Sequence, residues 1–145
     1  MSVAGTAARS PRSYLAFDFG TRRVGVATGN ALTGTATPLT TVAAQGRARL
    51  DAIGVLVDAW RPDALVVGVP LHPDGAPHAN TARARRFARE LAERFGLPVH
   101  EVDERYTTTD ARHSGARDLD AAAAAIILEQ HLSAAHADEA VQGTQ

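Results

Sequence analysis

YLAFDFGTRRVGVA, residues 14–27, is the stretch whose reading decides the architecture. It begins as an apolar strand with Leu15 and Phe17 on one side and Ala16 and Asp18 on the other, because side chains alternate across a strand. It then turns through Gly20, Arg22 and Arg23 and re-enters a β-like run at Val24. The Phe19–Arg23 turn is short, which predicts an antiparallel hairpin of Tyr14–Asp18 with Val24–Thr28. Asp18 closes its strand beside a glycine turn, a place where a carboxylate leaves the sheet and faces a ligand.

Outward from the hairpin, Gly34–Val42 reads as a third strand, threonine-rich and at an edge, since Pro38 has no N–H to give a ladder. Leu50, Ile53, Val57 and Trp60 recur at helical spacing, and Pro62 stops that helix. The run ALVVGV, Ala64–Val69, is apolar throughout, as in a strand covered on both faces of a parallel arrangement. Leu71–Asn80, with two prolines, a glycine and two histidines, reads as a loop. Thr81–Phe95 predicts a helix whose stripe is Ala84, Phe87, Ala88, Leu91 and Phe95, with Arg86/Glu90 and Glu90/Arg94 pairs on its wet side. Pro98–Val102 is a short strand, Thr107–Thr109 precede a brief helix around Asp110–Arg112, and an alanine-rich helix opens at Asp118 or Asp120 and runs through Leu132.

The order β-β-β-α-β-α-β-α-α gives an α/β fold: a mixed five-stranded sheet made of a three-stranded antiparallel meander plus two parallel strands, with helices on both faces. The first strand is central. A chain of 145 residues is one domain, spanning 14–132, with 1–13 expected as a disordered tail without the apolar core of a secretory signal and 133–145 as a flexible tail. The absence of cysteine excludes disulfides, thiolate catalysis and cysteine-based zinc sites. No apolar run approaches the roughly 20 residues of a membrane span, so no membrane partner and a cytoplasmic location are expected. The net charge of −1 announces no polyanion partner by itself, but every one of the 15 basic residues is arginine, whose planar fork suits phosphate.

Ligands of such sheets bind beyond the carboxyl ends of the strands. Acids stand at those ends: Asp18, then Asp103 or Glu104, then Asp118 or Asp120, where a helix-start aspartate also serves as a cap. Three convergent carboxylates without cysteine form the ligand set of a hard cation, Mg²⁺ or Mn²⁺. Two such ions about 4 Å apart serve hydrolysis of a phosphodiester by in-line displacement. Arg22 and Arg23, beside Asp18, are candidates for phosphate contact, and His72 and His78 lie in the loop at the same end of the sheet.

YLAFDFGTRRVGVA, VVGVPLHPDG, VHEVDERYTTTDAR and LDAAAAAIILEQHL, in this order over Tyr14–Leu132, resemble the YqgF-like family, described as Holliday junction resolvases and as nucleases that mature the 5′ end of pre-16S ribosomal RNA. The resemblance implies a ribonuclease H-like fold and a divalent-metal endonuclease. It places an acidic triad on Asp18, Glu104 and Asp120, thereby selecting Glu104 over Asp103. It sets Arg105, Thr107, Thr108, Gly20 and Arg23 next to the site. Two departures stand out: the segment Ser114–Leu119 is curtailed and has no lysine, and HPDG replaces a more usual Asn-Met-Asp-Gly, so that His72 is particular to this chain. The expected partner is nucleic acid, either the ribosomal precursor or branched DNA. A junction cutter needs two active sites and hence a homodimer, whereas a processing enzyme can act as a monomer. Two other classes share features: nucleotide-binding ATPases that also read Asp-x-Gly-Thr but need two related domains, and a silent nucleic-acid-binding module.

Overall fold

The structure, a computed structural model, describes residues 11–72, 74–104 and 118–143. Its elements are β1 (Ser13–Asp18), β2 (Val24–Asn30), β3 (Thr35–Val42), α1 (Gly46–Trp60), β4 (Ala64–Val69), α2 (Thr81–Phe95), β5 (Val99–Asp103) and α3 (Leu119–Gly143). The sheet order is β3-β2-β1-β4-β5. β1 pairs antiparallel with β2 and parallel with β4, β2 pairs antiparallel with β3, and β4 pairs parallel with β5. The meander, the two parallel strands and the central first strand thus follow the sequence reading.

Strand alternation divides the core into two faces. Leu15, Phe17, Val24, Val26, Leu65 and Val67 point to one side and pack with Ile53 of α1 and Phe87 and Leu91 of α2. Tyr14, Ala16, Ala64, Val66 and Val102 point to the other and meet Ile127, Leu128 and Leu132 of α3. Ala27 on that same side packs against Ala124 and Ala125. Helices therefore cover both faces, α1 and α2 on one and α3 on the other.

Three local expectations change. The last helix continues to Gly143 rather than ending at Leu132; its extension, SAAHADEAVQG, lacks an apolar stripe but is rich in strong helix formers. On α2, Arg94 reaches across to Asp51 of α1 at 2.6 Å, Arg85 pairs with Glu101 of β5 at 3.6 Å, and among the described residues neither Arg86 nor Arg94 forms the ion pair expected with Glu90. The loop after β4 has order of its own: Leu71 bridges to Pro77, and the buried Thr81 hydroxyl donates to the Pro70 carbonyl while accepting the His78 N–H. The brief helix expected around Asp110–Arg112 lies outside the described residues.

Candidate functional site

The site begins with a row across the sheet. Asp18 is paired on one side with Gly25 of β2 and on the other with Gly68 of β4, and all three positions open onto the α3 side. A strand glycine commonly marks the close approach of another group, and both of these do. A Cβ built on Gly25 would lie 1.8 Å from the main-chain oxygen of Asp120. One built on Gly68 would lie 2.9 Å from Cγ and Cδ of Glu104 and 2.4 Å from Ile127 Cδ1. The two missing side chains leave the space that Asp120 and Glu104 occupy on either side of Asp18.

Parity explains the choice of Glu104. Val102 pairs with Gly68 and faces α3, so Asp103, paired with Val69, belongs to the opposite side, and Glu104 returns to the side of Asp18. The two aspartates at the start of α3 have different partners. Asp118 precedes α3, accepts the Ala121 N–H at 3.0 Å and accepts the Thr41 hydroxyl from β3. Hydrogen bonds from Thr41 and from the Ala121 and Asp120 backbone, helped by the charge of Arg23, outweigh burial and hold its carboxyl below the usual range. Asp118 thereby holds the helix end, and Asp120, in the first turn, stands near Asp18.

The electrostatics are those of a crowded acid cluster. Burial pushes Glu104 up to about 9, reinforced by its hydrogen bond with Asp18 and by the charges of Asp18 and Asp103. Asp18 is also raised, first by burial and then by the charge of Asp120, with the hydrogen bond from Glu104 opposing. The pair holds a proton on Glu104, donated to Asp18. Asp120 turns Oδ2 to Arg23 Nε at 3.3 Å, an ion pair whose arginine side chain is 66% exposed. Among the described residues no three acids or histidines close on a single point as placed: two are in contact and the third is held by Arg23. A cation fits this chemistry. Clustered carboxylates without a positive ion must keep a proton, as Glu104 does, and a hard ion with oxygen ligands replaces it.

An open basin of about 570 Å³ adjoins the cluster, lined by Arg23, Thr41, Asp118, Leu119 and Asp120. Arg22 is exposed in the same turn. His72 stands in the loop after β4 with its ring 5.1 Å from that of His78, and its described contacts are with that loop, not with the acids. Arg105, Thr107 and Thr108 lie outside the described residues. Sequence reasoning missed Gly25, Gly68 and the Thr41–Asp118 cap. The glycines carried a signal, a gap inside an otherwise apolar strand; the cap, joining positions 77 residues apart, carried none.

The profile of the RuvX family, described as Holliday junction resolvase, matches residues 12–134. The chain belongs to this family. A protein of Polaromonas sp. named "Putative pre-16S rRNA nuclease" is 64% identical over 121 residues, covering 83% of this chain and 88% of that one. One of Paraburkholderia phymatum with the same name is 50% identical over 137 residues, 90% of each chain. Among solved structures, Thermus thermophilus RuvC in complex with a Holliday junction substrate superposes with a TM-score of 0.56 at 16% identity, covering 86% of this chain and 96% of that one. That likeness shows a shared ribonuclease H-like fold. Membership in the RuvX family gives the enzyme class, a hydrolytic nuclease. No helix among the described residues is long and apolar enough to cross a membrane.

Proposed function

We propose that this RuvX-family protein is a divalent-metal-dependent endonuclease that processes the 5′ end of pre-16S ribosomal RNA in the cytoplasm. The observation that carries this reading is the contact of Asp18 with Glu104, from positions far apart in the chain, at the carboxyl end of β1, with Asp120 close enough beneath the start of α3 for its charge to act on Asp18. The names of relatives 50% to 64% identical favour the ribosomal precursor.

Asp18, Glu104 and Asp120 would hold Mg²⁺ or Mn²⁺, with room in the donor set for two ions. Bound there, the metal supplies a nucleophilic water at neutral pH and Lewis acidity at the phosphate. The residues of the chain do the rest. Glu104 gives up the proton it shares with Asp18, so that both carboxylates offer lone pairs. Arg23 exchanges its bond to Asp120 for a phosphate oxygen, another charge-assisted partner that a guanidinium can grip with two N–H groups. Asp118 and Thr41 keep α3 seated, which keeps Asp120 beside Asp18. Arg22, in the turn after Asp18, His72, in the loop after β4, and Arg105, Thr107 and Thr108, which follow Glu104 in the sequence, are assigned to substrate contact.

A second reading, resolution of four-way DNA junctions, is favoured by the family's description; it calls for a homodimer with two sites, whereas the first serves a monomer. Both are tested together. With Mn²⁺ present, a 5′-extended 16S precursor and a four-way junction are incubated side by side with the parent protein and with Asp18→Asn, and the ends are mapped. Cleavage of the precursor by the parent and none by Asp18→Asn is expected. Equal cleavage by both would remove Asp18 from the site, and cutting of the junction alone would replace the first reading with the second.

A further inference from the structure

At the amino end of β1, away from the carboxylates, the side of the sheet that faces α1 changes from apolar to polar. Leu15 shares its row with Thr28 and Thr37, and Ser13 shares the next with Asn30 and Thr35. The end of α1 stands over this patch. Arg61, in the left-handed region at φ 46°, turns the chain away and leaves Trp60, the one tryptophan of the chain, 47% exposed. Trp60, Ser13, Thr28, Asn30, Thr35 and Thr37 line a cavity of about 300 Å³, at the lower end of the range for small-ligand sites.

Its hydrogen-bonding capacity is only partly used. Ser13 Oγ accepts the Asp63 N–H, Asn30 Oδ1 accepts the Leu32 N–H, and Thr35 shares its hydroxyl with Thr33. The Thr28 and Thr37 hydroxyls, the Asn30 amide N–H₂ and the Trp60 indole N–H have no partner among the described residues. No acidic or basic side chain is among the residues lining the cavity, and Arg61, exposed, follows Trp60 directly. A flat wall, a neutral set of donors and acceptors and an adjacent guanidinium together suit one chemistry: a nucleobase whose face stacks on indole, whose edge is hydrogen-bonded and whose phosphate meets an arginine.

The fold also links this cavity to the acids. β3 is an edge strand, with Thr41 in the basin on the α3 side and Thr35 and Thr37 in the cavity on the α1 side, roughly 20 Å apart at strand rise, so a strand that joins the two passes over the β3 edge. Pro38 keeps that edge from pairing with another strand. We propose that the Trp60 cavity holds an unpaired nucleotide of the substrate, whose strand crosses the exposed β3 edge between this cavity and the carboxylates on the other face. The proposal rests on the nuclease reading and gives it a requirement for a single-stranded segment.

The single tryptophan makes the test direct. Asp18→Asn protein is titrated with a short single-stranded oligoribonucleotide and with the same sequence in duplex form while Trp60 emission is followed. Saturable quenching by the single strand and little by the duplex is expected. The Thr28→Val/Thr37→Val double variant should bind several-fold more weakly, and Trp60→Ala, followed with a labelled oligonucleotide, about tenfold more weakly, with Trp60→Phe restoring part of the loss. Equal quenching by the duplex, an unquenched Trp60 at saturation, or unchanged affinity in folded Trp60→Ala would each overturn the proposal. Cleavage by the parent protein with a silent Trp60 would leave the nuclease reading standing without it; quenching without cleavage would do the reverse.

Discussion

On the α1 and α2 side of the sheet, Leu15, Phe17, Val24, Val26 and Val67 meet Ile53, Phe87 and Leu91, large side chains that fill a thick layer. On the α3 side the core of Tyr14, Val66 and Val102 against Ile127, Leu128 and Leu132 gives way, around Asp18, to Ala16, Gly25, Ala27 and Gly68, and the first turns of α3 answer with Ala121, Ala122, Ala124 and Ala125. The first arrangement buries much apolar area per residue and carries stability. The second buries less but lets the helix backbone descend until the Asp120 main chain touches the space above Gly25. Small residues there determine how near the third carboxylate comes to the first. The acid cluster thus sits where small residues replace the large core on one side of the sheet.

Substitutions on the two sides should therefore fail in different ways. Phe17→Ala, on the large-residue side, is expected to cost about 3–5 kcal/mol in urea unfolding, while the fraction that stays folded still responds to Mn²⁺. Gly25→Ala should cost less, about 1–3 kcal/mol, yet abolish the rise in Tm on adding Mn²⁺, because the clash is with main chain that cannot step aside. An unaltered Mn²⁺ response in Gly25→Ala would break the comparison.

The protonated acid pair predicts a pH trend. Glu104 holds its proton up to about 9 in the fold against an ordinary 4.5. Its contribution to stability is thus complete below that ordinary value and is lost as pH rises through 9. Metal-free protein should lose Tm over this window, Glu104→Gln should flatten the loss, and Mg²⁺ or Mn²⁺ should reverse it by taking the place of the proton. The smallest effect belongs to Arg23. Its exposed ion pair with Asp120 is worth at most about 1 kcal/mol, so Arg23→Gln should leave unfolding nearly unchanged while raising KM and lowering the salt slope of nucleic-acid binding by about one.

Much of this was legible in the residues. The hairpin at 14–27 and the apolar run Ala64–Val69 were enough for the strand order, since a short turn enforces antiparallel pairing and a strand without polar positions must be covered on both faces. The acids were visible at strand and helix ends. Their selection was less so. Asp103 and Glu104 are separated by strand parity, which needs the register of β5 against β4, and Asp118 is separated from Asp120 by a hydroxyl on β3 that no local pattern connects to it. Helix α3 outran its apolar stripe because alanine and glutamate propagate a helix without one.

On the proposed function, Asp18, Glu104 and Asp120 share a divalent ion at the carboxyl end of β1. Anomalous diffraction from crystals grown with Mn²⁺ tests it most directly. The account predicts a manganese peak in coordination contact with an oxygen from each of the three side chains, with Arg23 swung off Asp120. A peak elsewhere, or none at saturating Mn²⁺ with Glu104 still hydrogen-bonded to Asp18, would contradict it.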